Sequence, residues 1–142
     1  MPMPTKDLTL DNVRVLTHSA IRIASQDDAV LYFDPFQLAE APHDADIIFI
    51  THDHYDHFSP EDAVKVLKDT TVVVAPESCA ANVREKLGVT TLGMKPGDTT
   101  FVGKAAPGGS EDARICVEAV RAYNVEPERL GFHPKDNDWL GY

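Results

Sequence analysis

Three of the chain's six histidines fall within six positions, in the run Thr51-His52-Asp53-His54-Tyr55-Asp56-His57-Phe58-Ser59. His52 and His54 are two apart, so in an extended stretch they can aim their imidazoles to the same side. Asp56 and His57 are adjacent and diverge, so they can serve a second centre a short distance away. Two imidazoles on one ion, and a carboxylate with an imidazole on another, suit zinc, iron or manganese. Asp53 should point away from such ions, as a loop residue or as a group behind the ligands. The competing reading is a solvated charged loop, or a cluster of acids and histidines bonded only to each other.

What must position these residues is legible on either side. Before them, Ile47-Ile48-Phe49-Ile50 is a continuous apolar run, the pattern of a strand covered on both faces. After them, Ser59 is a natural N-cap, Pro60 occupies the first helical position, and Asp62 completes a variant capping box ahead of helical residues 63–68. The histidine run therefore lies on a strand-to-helix loop. Ligands collect there in α/β sheets, outside the carboxyl ends of the strands.

Upstream, residues 13–18, 20–24 and 29–34 read as short strands, with turn chemistry at Gln26-Asp27-Asp28 and a stop at Pro35. Downstream, 71–75 is a strand. Pro76-Glu77 opens a helix to about Leu87, and Gly88 ends it. The pattern returns to β from Thr90, with a loose Gly-Pro loop at 105–109 and a strand at 115–120. The order strand, helix, strand, helix marks an α/β layer. The chain stops at Trp139-Leu140-Gly141-Tyr142, which looks like the start of a strand. Either more chain follows it or this end packs on something.

A length of 142 residues allows one domain, spanning 1–142, large enough to bury roughly 70% of the surface of its unfolded chain. Thirteen basic residues against 23 acidic ones give a formal charge of −10. Such a chain repels nucleic acid and anionic membranes, so neither is expected as a partner. Cys79 and Cys116 form no Cys-x-x-Cys pair and are expected to be packed, reduced thiols. The N-terminus lacks the apolar stretch of a signal peptide, and no apolar run approaches the ~20 residues that cross a bilayer. Cytoplasm is the expected compartment.

With its His-x-His-x-Asp-His loop, the chain resembles the metallo-β-lactamase superfamily. Thr17-His18-Ser19, Phe33-Asp34-Pro35 and Ala45-Asp46-Ile47-Ile48-Phe49-Ile50-Thr51 match the N-terminal half of that family. Ala122-Tyr123-Asn124, Phe132-His133-Pro134-Lys135 and Trp139-Leu140-Gly141-Tyr142 look like a branch of small metal-dependent hydrolases akin to lactonases. The resemblance implies an α/β (α+β) fold, a four-layer αββα sandwich of two similar halves with a metal site at the edge between the sheets. It implies that His52 and His54 bind a first divalent ion, and Asp56 and His57 a second, zinc above manganese or iron. Asp56 also orients the water or hydroxide that bridges them, which makes it the catalytic residue.

Two departures bear on that expectation. The family supplies a further His after its second helix, where this chain reads Val120-Arg121-Ala122-Tyr123-Asn124. His133 is the nearest substitute, with Asn124 behind it, and a structural His133 in a Pro-anchored turn is the alternative. The family also takes a bridging Asp and a last His from its second half, and this chain ends before either. The expected fold is therefore incomplete at the C-terminus, an N-terminal half with the start of the second. His18 is expected near the site, as a group that orients a ligand, touches substrate or simply ends a strand. Asp34 should brace the loop from below, and His43 should be solvated.

The resulting expectation is a hydrolase acting by metal-activated water on an ester, lactone or phosphoester of small-molecule size. The alternative is a catalytically incomplete metal-binding half-domain, either an assembly subunit or a truncated product. A half sandwich would leave one sheet face uncovered, and a second copy in a homodimer would cover it.

Overall fold

The computed structural model describes residues 12–25, 29–103, 115–122 and 138–142. Its central feature is a six-stranded sheet in which spatial order equals chain order, β1 (Val13–Val15), β2 (Ile21–Ala24), β3 (Val30–Phe33), β4 (Ile47–Phe49), β5 (Val72–Pro76) and β6 (Thr91–Met94). The first three strands pair antiparallel. From β3 to β6 all pairings are parallel. Parallel neighbours need crossovers. Helices α1 (Pro60–Ala63) and α2 (Glu77–Leu87) lie in the crossovers after β4 and β5. Two further ribbons follow: β7 (Thr99–Val102) with β8 (Ile115–Glu118), and β9 (Val120–Arg121) with β10 (Leu140–Gly141).

Alternation along the central strands divides the core. Ile48, Ile50, Val73 and Ala75 join Phe58, Ala63, Val66, Cys79 and Val83 on the helical side. Ile47, Phe49 and Val74 point to the other side, where Met94, Val102, Val117, Ala119 and Leu140 meet them. The run Ile47–Ile50 is apolar throughout because it has protein on both faces, as its composition predicts. Each such fully buried aliphatic side chain contributes roughly 1.5–3 kcal/mol. This is an α/β sheet with helices on one face and a second β layer on the other.

The second face differs from the open surface expected of a half sandwich. Its centre is closed, with Ile47, Phe49 and Val74 almost inaccessible beneath the β7–β8 ribbon and Leu140. Apolar exposure is displaced outward, to Phe101 and Val120. Cys116, expected to be packed, also faces out, because it alternates with the buried Val117 on β8; Cys79 is buried as expected. The strand expected over 115–120 breaks at Ala119, whose N–H and C=O bond Asp98 and Gly97 instead of continuing the ribbon.

Ser59 caps α1 as its sequence predicts: the Oγ accepts from the Asp62 N–H at 3.3 Å and donates to Asp62 Oδ2 at 2.8 Å. The helix is much shorter than the expected span through 68. Past Ala63 a turn continues, with the N–H groups of Val66 and Leu67 both on Ala63 O at 3.1 Å; the carbonyls of Lys65 and Val66 then accept from the N–H groups of His43 and Ala45, so tertiary bonds take the place of any further helical ladder. Helix α2 runs as predicted and ends at Gly88, whose φ of 67° suits the left-handed C-cap. Gly93 on β6 lets α2 approach closely, since a Cβ there would stand 3.1 Å from Glu77 Cα. The 105–109 loop, Asn124 and His133 lie outside the described residues.

Candidate metal centre

The site is organised from the ends of β3 and β4, which are parallel neighbours. Asp34, the residue after β3, lies beside Thr51, which follows β4. Its N–H donates to Phe49 O at 2.9 Å, and its carboxylate accepts from the Thr51 N–H at 2.8 Å and from Thr51 Oγ1 at 2.6 Å. Asp34 is only 3% exposed and holds a left-handed backbone with φ 44°. The Phe-Asp-Pro segment thus braces the loop from beneath, as its sequence predicts.

The same carboxylate fixes two imidazoles. Asp34 Oδ2 accepts from His57 Nδ1 at 2.8 Å. A carboxylate can only accept, so the neutral ring carries its proton on Nδ1 and presents Nε2 as a lone-pair nitrogen. The Thr51 hydroxyl has one proton, and Asp34 takes it. Thr51 Oγ1 can therefore only accept from His52 Nδ1, 2.9 Å away, and His52 too presents Nε2. A carboxylate behind the imidazole is the usual means of aiming a metal-binding histidine.

Between these two histidines the chain makes a tight turn, with His54 O accepting from the N–H groups of His57 at 2.9 Å and Phe58 at 2.8 Å. Phe58 is buried in the helical-side core and anchors the turn. Asp56 and His57 consequently do not diverge, as extended geometry would have them do. They converge, with His57 Nε2 3.8 Å from Asp56 Oδ1. Burial disfavours the charged form of His57, but the Asp34 hydrogen bond and the charges of Asp34 and Asp56 outweigh it and raise the imidazole above its ordinary value. The site is thus electrostatically prepared for a cation.

His52 and His54 are neighbours as expected, with ring centroids 4.7 Å apart; the His52 ring also lies 4.0 Å from that of His57. Trp139 closes this side. It stacks on His52 at 4.7 Å and 29°, and meets His54 edge-on at 4.7 Å. The last residues are tied down by Leu140 N–H donating to Thr51 O, Tyr142 OH donating to Ile50 O, and an Arg121–Asp138 ion pair. Residues 139–142 therefore pack on the domain. Asp53 is exposed, as expected of a loop residue; His43 is exposed but tethered, its ring Nδ1 2.9 Å from Leu67 O.

His18, in the turn between β1 and β2, also reaches the cluster, with Nε2 3.4 Å from Asp56 Oδ2. Ligand atoms of His18, Asp56 and His57 all lie within 4.8 Å of one another, and among the described residues this is the one group of three or more that do so. Two nitrogens and a carboxylate oxygen are a donor set for zinc or a similar divalent ion, so the residues present fit such a group. The sequence marked His18 as near the site, but nothing local to it indicates that it faces Asp56.

A cavity of about 470 Å³ adjoins the cluster, bounded by Asp34, Thr51, His52 and His57 on one side and by Ile21, Phe33 and Trp139 on the other. A second cavity, of about 400 Å³, lies against Arg22, Tyr32 and Asp44. These three satisfy one another: Tyr32 OH and Arg22 both donate to Asp44, and Arg22 Nε donates to Tyr32 OH.

The family model described as Beta-lactamase superfamily domain matches residues 13–142. Two curated proteins, both named UPF0173 metal-dependent hydrolase, are similar. The one from Methanosphaera stadtmanae is 31% identical over 104 residues, covering 68% of this chain and 44% of the relative. The one from Thermococcus onnurineus is 36% identical over 100 residues, covering 64% and 43%. The crystal structure of a proposed metal-dependent hydrolase from Parabacteroides distasonis matches with TM-score 0.65 and 29% identity, over 92% of this chain and 53% of that one. The chain spans less than half the length of the curated relatives it matches.

Proposed function

The chain belongs to the β-lactamase superfamily, and on that premise we propose that it is the metal-binding part of a metal-dependent hydrolase acting on a small ester, lactone or phosphoester. The observation that carries this reading is the aim of the His57 ring, with Nδ1 held by Asp34 and Nε2 turned toward Asp56.

In this reading His52 and His54 hold one divalent ion and Asp56 and His57 a second, zinc in both cases, with His133 as the remaining ligand. When bound, such ions supply a hydrolytic nucleophile at neutral pH and polarise the bond to be cleaved. The protein's own groups do the rest. Asp34 and Thr51 keep the His57 and His52 protons on Nδ1, so both rings offer Nε2. Asp56 holds the attacking water by hydrogen bonding and takes up its proton on a carboxylate oxygen. Trp139 and Phe33 form the apolar wall of the adjoining cavity, whose size suits a small molecule. Bound cations would invert the local potential of a chain with formal charge −10, so an anionic substrate fits.

The proposal extends to a cytoplasmic homodimer in which a second copy covers the outward Phe101 and Val120. Among the described residues no helix is long and apolar enough to cross a membrane. Sedimentation giving a folded monomer at micromolar concentration would remove the dimer from the reading.

The deciding experiment is elemental analysis of protein purified after metal-supplemented expression. It is followed by assay on generic phosphodiester and lactone substrates, with His54→Ala as control. Bound metal with turnover that the control lacks supports the hydrolase. Bound metal without turnover in any assay favours the catalytically incomplete half-domain. Less than a tenth of an equivalent of any transition metal overturns both.

A further inference from the structure

We propose that His18 is a metal ligand, completing with Asp56 and His57 a three-donor site for one zinc ion. This inference deepens the hydrolase reading and rests on it.

The distances distinguish ligation from a simple ion pair. A charge-assisted hydrogen bond between an imidazole and a carboxylate is about 2.7–2.9 Å long. His18 Nε2 lies 3.4 Å from Asp56 Oδ2, and His57 Nε2 lies 3.8 Å from Asp56 Oδ1. Both are too long for good hydrogen bonds. Two ligands each about 2.1 Å from a shared tetrahedral zinc stand about 3.4 Å apart. The His18–Asp56 spacing matches that of two ligands on one ion, and one ligand atom from each of His18, Asp56 and His57 lies within 4.8 Å of the others.

Orientation gives the same answer. Each imidazole has its other nitrogen engaged, His57 Nδ1 with Asp34 at 2.8 Å and His18 Nδ1 against Ser19 Oγ at 3.2 Å. Each therefore turns Nε2 to a different oxygen of the same carboxylate. The two rings meet nearly perpendicular, at 83° and 5.5 Å between centroids, and Phe36 supports the far edge of His18 at 5.9 Å.

The backbone is committed to this placement. His18 has φ 57°, in a turn closed by Leu16 N–H to Ala20 O and Ala20 N–H to Thr17 O. A left-handed non-glycine residue is strained and persists where its surroundings over-determine it. With Asp56 binding through one of its oxygens, that oxygen and the two nitrogens leave a fourth tetrahedral position for water or substrate, the arrangement of a catalytic rather than a structural zinc.

The test uses chelator-stripped protein titrated with zinc chloride and read by long-range ¹H–¹⁵N imidazole spectra. Through-bond correlation to the backbone assigns the His18 signals in the unaltered protein, and His18→Asn serves as the affinity variant, since asparagine tolerates a left-handed backbone. The expected result is that His18 Nε2 and His57 Nε2 shift together with the first equivalent of zinc. His18→Asn should weaken zinc binding 10- to 100-fold in competition with a chromophoric chelator. Should zinc bind and move His57 while His18 Nε2 stays at its metal-free position, His18 is no ligand and the hydrolase reading survives. Should zinc not bind at all, that reading falls and this inference with it. Because the spectra are those of the unaltered protein, they decide even where the variant does not fold.

Discussion

Asp34 Oδ2 lies 2.8 Å from His57 Nδ1, joining the residue after β3 to a histidine of the turn after β4. The same carboxylate accepts both the N–H and the hydroxyl of Thr51, which in turn holds His52. One buried acid therefore sets the proton positions of two imidazoles, and it does so before any ion arrives.

Asp34→Asn replaces an acceptor-only group with one that can also donate, so the His57 ring loses its enforced tautomer. Zinc affinity is expected to fall about 10- to 100-fold. Thr51→Val, close in shape, removes the His52 support and one donor to Asp34 but leaves the Asp34–His57 bond, and is expected to cost less affinity. Competition with a chromophoric chelator measures both. Unchanged affinity in Asp34→Asn would show that His57 is not aimed by Asp34.

Trp139 is the chain's single tryptophan, and it touches both His52 and His54. Its fluorescence should therefore respond to metal at those rings. Addition of cobalt(II) is expected to quench the emission, with a titration curve that disappears in His54→Ala. Emission indifferent to cobalt, in protein shown to bind it, would place the ion away from His52 and His54. Truncation to Trp139→Ala should also cost about 3–5 kcal/mol of stability in urea, since the side chain is nearly buried.

Asp62 gives the protein an acid-sensitive element remote from the histidines. Burial alone would raise its carboxyl, but hydrogen bonds from Lys65, Ser59 and the Gln37 and Leu38 N–H groups outweigh it, bringing the value from 3.8 to about 2. The unfolded chain thus binds this proton at higher pH than the folded one. The stabilisation is complete above about 3.8 and is lost as pH falls toward about 2, amounting to about 2 kcal/mol. Urea unfolding at pH 6 and pH 3 should show the difference shrinking in Asp62→Asn. An identical acid slope in the variant would contradict the assignment.

The two thiols should differ sharply in reactivity. Burial, reinforced by the charge of Asp53, pushes Cys79 up to about 12, while Cys116 is exposed on β8. At pH 8 an aromatic disulfide reagent is expected to label one thiol in native protein and two in denaturant. Cys116→Ser should show none before unfolding. Rapid native labelling of two thiols would mean that the helical-side core is open.

Much of this molecule is written locally. The apolar run at 47–50, the Ser59 cap, the Gly88 stop and the alternating strands follow from side-chain chemistry over a few residues, and they place the histidine run on the correct loop. Local rules fail where backbone groups find distant partners. The turn after Ala63 does not extend into a longer helix because His43 and Ala45 take the carbonyls of Lys65 and Val66, and Asp56 turns toward His57 because His54 O closes a tight turn. The sequence by itself determined which residue types could bind a cation and which elements would present them. Only the tertiary structure decided that His18, Asp34 and Trp139 converge on them, because parallel strand pairing and the packing of the last strand bring together groups far apart along the chain.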